Sequence, residues 1–176
     1  MIILVMLLTL LSTDTRVLYD FEKDQNIDNW RIVDDVVMGG RSSGTFMIDE
    51  NGHGKFSGKV SLENNGGFSS VRYRCEAMQA SSGSWRLKIK GDGKRYQIRM
   101  RTCDGDYYSY IFYIQTSGEW EEINVPLQAM YPSFRGRRLD MPNFTSDQVC
   151  EFSILIANKK AEDFTLLIDR IDLIQQ

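Results

Sequence analysis

The chain has a single histidine, three cysteines and three prolines in 176 residues. Each scarcity removes a class of function. The sole imidazole, His53, sits in Asn51-Gly52-His53-Gly54, a turn sequence. A Ser-His-Asp or Cys-His centre would have to use this ring on a flexible tip, where nothing nearby in sequence orients it. Nucleophilic catalysis is therefore not expected. Cys75, Cys103 and Cys150 are widely spaced and form no Cys-x-x-Cys pair. That argues against a thiolate zinc site and against a disulfide framework, so all three are expected to be small buried hydrophobes. No metal or other cofactor is implied. Loop carboxylates can hold calcium in some sandwiches, but no EF-hand spacing occurs.

Long apolar runs are also missing, apart from Ile2 to Leu11. A bilayer span needs about 20 residues, so the chain is not expected to cross a membrane. The run suits the apolar region of an export leader, but no Lys or Arg precedes it and Ser12-Thr13-Asp14 is a poor cleavage site. A first buried strand or a tail is the other reading. Residues 1–16 are set apart as this leader and 17–176 are read as one domain. Its location is then either outside the cell or, without export, soluble in the cytoplasm or peripheral to a membrane.

Charge of one sign is lacking as well: 21 basic residues face 24 acidic ones, a net of −3. The distribution is uneven. Residues 1–63 carry 6 basic and 10 acidic side chains, residues 64–139 carry 12 and 7, and residues 140–176 carry 3 and 7. A basic middle lies between acidic flanks. With a pI near 5.2 and no recognised motif, nucleic acid is not expected as a partner.

What is present is alternation. Hydrophobic residues make up 42% and charged residues 26%, ordinary for a globular protein, and the apolar positions repeat every second residue. Expected strands run over 17–21, 42–49, 55–62, 68–74, 84–90, 94–101, 110–115, 120–125, 149–157 and 164–174. Turn sequences such as Asn65-Gly66-Gly67 and Gly91-Asp92-Gly93 separate them. No long amphipathic helix pattern stands out. The expected fold is all-β, an antiparallel sandwich or barrel. The longest irregular stretch, Gln128 to Ser146, is a candidate functional loop.

Residues 84–90 and 94–101 read as one hairpin. Alternation would place Arg86, Lys88, Lys90, Arg95, Arg99 and Arg101 together on its polar face. This face is either solvated and paired with Glu119, Glu121 or Glu122, or a docking surface for an acidic partner.

Four segments combine glycines and polar residues with a large apolar anchor. They are Trp30 to Ser42, with Asp34, Asp35, Met38, Gly39, Gly40 and Ser42; Phe56 to Arg72, with Asn64, Asn65, Gly66, Gly67 and Phe68; Lys90 to Tyr96, with Asp92; and Phe134 to Arg137, with Arg135 and Arg137. Asp34 and Asp35 are expected either to accept N–H bonds and lock turns or to join a rim site for a ligand or partner. Adjacent residues of an extended chain point to opposite sides, so these two cannot form a glycosidase pair by themselves. Arg135 and Arg137 suit carboxylate or phosphate contact.

In this order the segments resemble the complex I intermediate-associated protein 30 family, over about Leu18 to Leu173. The segments Asp35-Val36-Val37-Met38-Gly39-Gly40-Arg41-Ser42 and Asn64-Asn65-Gly66-Gly67-Phe68 carry the resemblance, and Trp120 with Val125-Pro126 fits its later part. The resemblance implies a galactose-binding-like jelly-roll sandwich and a chaperone-like role in assembling respiratory complex I (NADH:ubiquinone oxidoreductase), without catalysis. The implied partner is a protein, a subunit of a respiratory or other membrane complex. An exported carbohydrate-binding module is the rival expectation, with Tyr107, Tyr108, Tyr131 or Phe134 as sugar platforms.

Overall fold

The computed structural model describes residues 14–145 and 147–175. The apolar run Ile2–Leu11 therefore lies outside the described residues, and Asp14–Arg16, assigned to the leader, begin the first strand. The strands are β1 (Asp14–Asp20), β2 (Trp30–Asp34), β3 (Ser43–Ile48), β4 (Gly54–Val60), β5 (Ser69–Ala80), β6 (Gly83–Lys90), β7 (Arg95–Thr102), β8 (Ser109–Gln115), β9 (Trp120–Pro126), β10 (Tyr131–Phe134), β11 (Arg137–Arg138), β12 (Asp147–Ile156) and β13 (Glu162–Gln175). Short 3-10 turns at Asp35–Met38, Glu63–Asn65 and Leu127–Ala129 are the only helical elements among the described residues.

Every strand pairing is antiparallel. One sheet runs β3-β4-β13-β6-β9, with β1 continuing the line of β4 along β13. The other runs β11-β10-β8-β7-β12-β5-β2. The two sheets pack as a jelly-roll sandwich, the all-β class the alternation indicates.

The alternation fills the space between them. Trp85, Leu87 and Ile89 from β6 meet Ile98 and Met100 from β7 and Phe152 and Ile154 from β12, all with no exposed surface. The Trp85 and Phe152 rings lie 5.1 Å apart at 64°, an edge-to-face pairing. Burying such side chains contributes about 1.5–3 kcal/mol each, so this layer carries much of the stability. A second aromatic cluster, in which the Trp30 ring packs 4.8 Å from Phe46 and 4.9 Å from Tyr73, closes the end near β2.

Two expectations are corrected here. Residues 84–90 and 94–101 do not form a hairpin: β6 pairs with β9 and β13, β7 with β8 and β12. The Gly91–Lys94 connection crosses between the sheets. Asp92 fixes this corner by accepting the Thr165 N–H at 2.9 Å, the Tyr96 hydroxyl at 3.0 Å and Lys94 Nζ at 2.7 Å. The polar faces of β6 and β7 therefore point away from each other, on opposite sides of the molecule. The second correction concerns the thiols: Cys103 and Cys150 form a disulfide across 47 residues of sequence, and Cys75 is free and half-buried. Burial pushes the Cys75 thiol up to about 11, as expected for an inert, packed cysteine.

Candidate functional site

Asp35 begins the 3-10 turn after β2 and is fully buried. An isolated carboxylate would not tolerate that position, but this one accepts four hydrogen bonds. Oδ1 receives the Ser42 N–H at 2.9 Å; Oδ2 receives the Ser42 hydroxyl at 2.5 Å, the Gly67 N–H at 2.6 Å and the Phe68 N–H at 3.2 Å. Burial opposes ionisation, yet the bonds from Ser42, Gly67 and Phe68 outweigh it and hold the carboxyl below its ordinary range. Gly40 and Gly66 must come close to make this geometry: a Cβ on either would lie 2.3 Å from Asp35 Oδ1 or 2.5 Å from Oδ2. Asp34, on the opposite side of the chain, accepts the Gly44 N–H at 2.9 Å and the Ser69 hydroxyl at 2.6 Å. Asn64 adds a bond to the Gly39 carbonyl at 3.1 Å. The two glycine-rich segments, some thirty residues apart in sequence, are thus joined by one carboxylate, with bonds spanning up to 33 positions.

These joined loops form one wall of a groove of about 440 Å³ on the outer face of the second sheet. Val37, Met38, Asn65, Gly66, Gly67 and Phe68 line that wall; Tyr107, Phe134 and Arg135 line the far wall. Arg72, Gln97, Arg99, Arg101, Ser109 and Leu155 form the floor. Both walls carry exposed apolar surface, with Val37 73% and Met38 58% exposed on the first and Tyr107 63% on the far one.

Strand register explains the floor. Arg31 on β2 pairs with Arg72 on β5, which faces Ser153 on β12, which faces Arg99 on β7. One step along, Arg74, Glu151 and Arg101 form a second row. Five guanidiniums thus share one face around the carboxylate of Glu151, which pairs with Arg31 at 3.1 Å and Arg72 at 3.7 Å. Arg99 makes no ion pair among the described residues and donates instead to Gln97 Oε1 at 3.1 Å. Burial, and then the neighbouring Arg72, bring its pKa down to about 10. It stays cationic at neutral pH but is incompletely neutralised. Arg101 donates to the Asp106 carbonyl and also borders a smaller hollow of about 230 Å³ beside the Cys103–Cys150 disulfide.

Of the residues singled out in the sequence, Met38, Asn65, Gly66, Gly67, Phe68, Arg99 and Arg135 come together in the groove. Asp34, Asp35, Gly39, Gly40, Ser42 and Asn64 build the lock behind its wall. Arg86 and Lys88 are on the other sheet. There they pair with Asp172 at 2.9 Å and Asp169 at 2.7 Å, not with the glutamates of β9. Asp92 is the corner residue described above, Arg95 lies 4.5 Å over the Tyr113 ring, and Arg137 is exposed on β11. Arg72 belongs to the groove floor, and Arg31 and Arg74 extend its cationic face toward the disulfide; the sequence reading does not single out these three. Their signal was arginine at alternate positions of two strands, 72 with 74 and 99 with 101.

His53 is not a free tip. Its ring packs 4.7 Å from Trp120, and its Nδ1 lies 3.4 Å from Asp49 Oδ2. Among the described residues no group of three His, Cys, Asp or Glu side chains could hold a metal ion. No helix among them is long and apolar enough to cross a membrane.

Comparison with known proteins agrees with the fold and with the glycine-rich segments. Residues 19–168 match the family described as Complex I intermediate-associated protein 30. A Drosophila melanogaster protein named "Complex I intermediate-associated protein 30, mitochondrial" is 26% identical over 91% of this chain and 63% of its own length. The Mus musculus protein of the same name is 22% identical over 89% of this chain and 55% of its length. The chain thus spans a little over half of these relatives. Among solved structures, the family 11 carbohydrate-binding module of the Clostridium thermocellum cellulase Lic26A-Cel5E superposes with a TM-score of 0.66 at 19% identity, covering 94% of this chain and 96% of the module. At that identity the likeness shows the fold alone.

Proposed function

We propose a function on the premise that the chain belongs to the complex I intermediate-associated protein 30 family. In this reading it is a non-catalytic binding protein that assists the assembly of respiratory complex I, and the groove on its second sheet holds the protein partner. The observation that carries the reading is the groove itself: a locked apolar wall facing a floor of arginines. Exposed apolar patches rimmed by polar residues are interaction sites. Buried arginines with apolar neighbours supply the anchors on which interfaces depend.

The carbohydrate reading draws on fold likeness; of its four expected sugar platforms Tyr107 is exposed in the groove, but the other three are engaged. Tyr108 is buried, Tyr131 lies under Arg138 at 4.6 Å, and Phe134 lies under Arg135 at 5.3 Å.

The test is co-purification. Tagged chain isolated from detergent-solubilised membranes of its host should bring down complex I subunits, and Met38→Asp should lose them while the protein stays folded. Recovery of no complex I subunit, with complex I assembly unchanged on deletion of the gene, would refute the proposal.

A further inference from the structure

The groove's chemistry specifies more than the presence of a partner. Its floor has three guanidiniums, those of Arg72, Arg99 and Arg101, and Arg31 and Arg74 continue the same cationic face beyond it; the one carboxylate among them, Glu151, pairs with Arg31 and Arg72. Arg99 in particular is largely withdrawn from water with only an amide oxygen as acceptor. A guanidinium has five N–H donors in a fixed fork and is best satisfied by a carboxylate. Arg99 therefore sits at the groove floor without a carboxylate partner, while Arg72 shares Glu151 with Arg31 and Arg101 has only the Asp106 carbonyl.

Spacing narrows the ligand. Arg99 and Arg101 occupy alternate positions of β7, so their Cα atoms lie about 6.6–6.8 Å apart along the strand. Arg72 sits two strands away from Arg99 across β12, about 9.5 Å at the usual strand separation. Acidic residues at alternate positions of an extended polypeptide repeat at the same interval as Arg99 and Arg101. The wall adds the second requirement. Val37 and Met38 are aliphatic and largely exposed, and they suit an apolar side chain better than a sugar ring or a nucleobase. The aromatic residues of the far wall are already engaged, Phe134 by Tyr107 at 5.0 Å and 87° and by the Arg135 guanidinium.

We infer that the groove receives an extended acidic segment of a partner protein, its carboxylates on Arg72, Arg99 and Arg101 and an apolar side chain against Val37 and Met38. The inference rests on the groove being the partner-binding site. It adds the chemical class of what binds there.

The test uses the full chain and a fluorescein-labelled decapeptide in which glutamate alternates with leucine and serine. The control is the same peptide with every glutamate replaced by glutamine. Fluorescence anisotropy should show the glutamate peptide binding at least tenfold more tightly, since charge-assisted bonds exceed neutral ones by more than that factor when several are made together. Binding should also weaken with added salt. Arg99→Gln should cost about tenfold, whereas Lys59→Gln, which removes an exposed cation from the other sheet, should change affinity less than twofold. The comparison of the two peptides needs no variant and stands even if Arg99→Gln fails to fold. Equal binding of both peptides, or an unaltered affinity for Arg99→Gln, overturns the inference. If complex I subunits still co-purify in that case, the partner-binding reading survives. If a mixed-linked β-glucan tetrasaccharide or heparin occupies the groove and neither peptide does, both readings fall.

Discussion

Asp35→Asn is the sharpest probe of the lock behind the groove, because it keeps the shape of the side chain and removes only its charge and one acceptor. Oδ2 takes three hydrogen bonds and Oδ1 takes one, so the amide will keep its oxygen on the Oδ2 side. The –NH2 then faces the Ser42 N–H, donor against donor. A buried donor left without an acceptor costs about 1–3 kcal/mol, and each of the three remaining bonds loses the extra strength of a charged acceptor, about 0.5–1 kcal/mol apiece. The neutral amide recovers part of this through its smaller desolvation cost. A net loss of about 3 kcal/mol is expected, a large share of the 5–15 kcal/mol typical of a domain.

Urea unfolding near pH 7 measures this directly, and pH supplies a second, independent readout. The folded carboxyl titrates below its unfolded value of about 3.9. Its contribution is therefore complete above that value and lost as pH falls through the folded pKa. Asparagine does not titrate, so the stability gap between the two proteins should hold constant from neutral pH down to the unfolded value and shrink as pH falls below it. Ser42→Ala should couple to Asp35→Asn by about 1 kcal/mol or more in a double-mutant cycle. A variant within about 0.5 kcal/mol of the wild type, or a gap that does not change with pH, would refute the argument.

Other outcomes follow from neighbouring features. Cross-linking across 47 residues stabilises by about 4 kcal/mol on chain-entropy grounds. Reductant should accordingly lower the urea midpoint of the wild type and leave Cys103→Ser/Cys150→Ser unmoved. Gly40→Ala drives a Cβ to within 2.3 Å of Asp35 Oδ1 and should cost about 1–3 kcal/mol by overpacking, read in the same urea titration. Lys88→Glu opposes a carboxylate to buried Asp169. Because the Lys88 side chain is 47% exposed, the loss should be about 1–2 kcal/mol. Its affinity for the acidic decapeptide should stay within twofold, while Arg99→Glu should abolish binding without a comparable loss of stability.

The last contrast marks where the sequence stops being informative. Period-two alternation correctly assigned Arg86 and Lys88, and Arg99 and Arg101, to polar strand faces. It says nothing about which sheet a strand joins. Gly91-Asp92-Gly93 reads as a hairpin turn because hairpin and crossover use the same permissive residues. Only the bonds from Thr165 and Tyr96 to Asp92, more than seventy positions apart in the first case, make it a corner between sheets. The cationic face was hidden for a related reason. Arg31, Arg72 and Arg99 become neighbours through the order β2-β5-β12-β7, a long-range fact with no local trace. The disulfide belongs to the same class, since Cys150 sits at the register shift that β12 makes against both β5 and β7. The groove wall was legible because acceptor, glycines and hydroxyl lie within two short segments and declare their own chemistry.

On the proposed reading, residues that touch no ligand also govern binding. Asp35, Gly40 and Ser42 lie behind the wall, yet the positions of Val37, Met38, Gly67 and Phe68 follow from the bonds they make. If the groove binds its partner as proposed, the wall and the arginine floor must hold a fixed separation, because a ligand that must first order a loose wall loses that ordering entropy from its affinity. Weakening the lock should therefore appear twice, as lost stability and as weaker peptide binding, even though every arginine is unchanged. A floor substitution such as Arg99→Gln should appear only in binding. The two signatures separate positioning from contact, and they place the glycine-rich segments on the side of positioning.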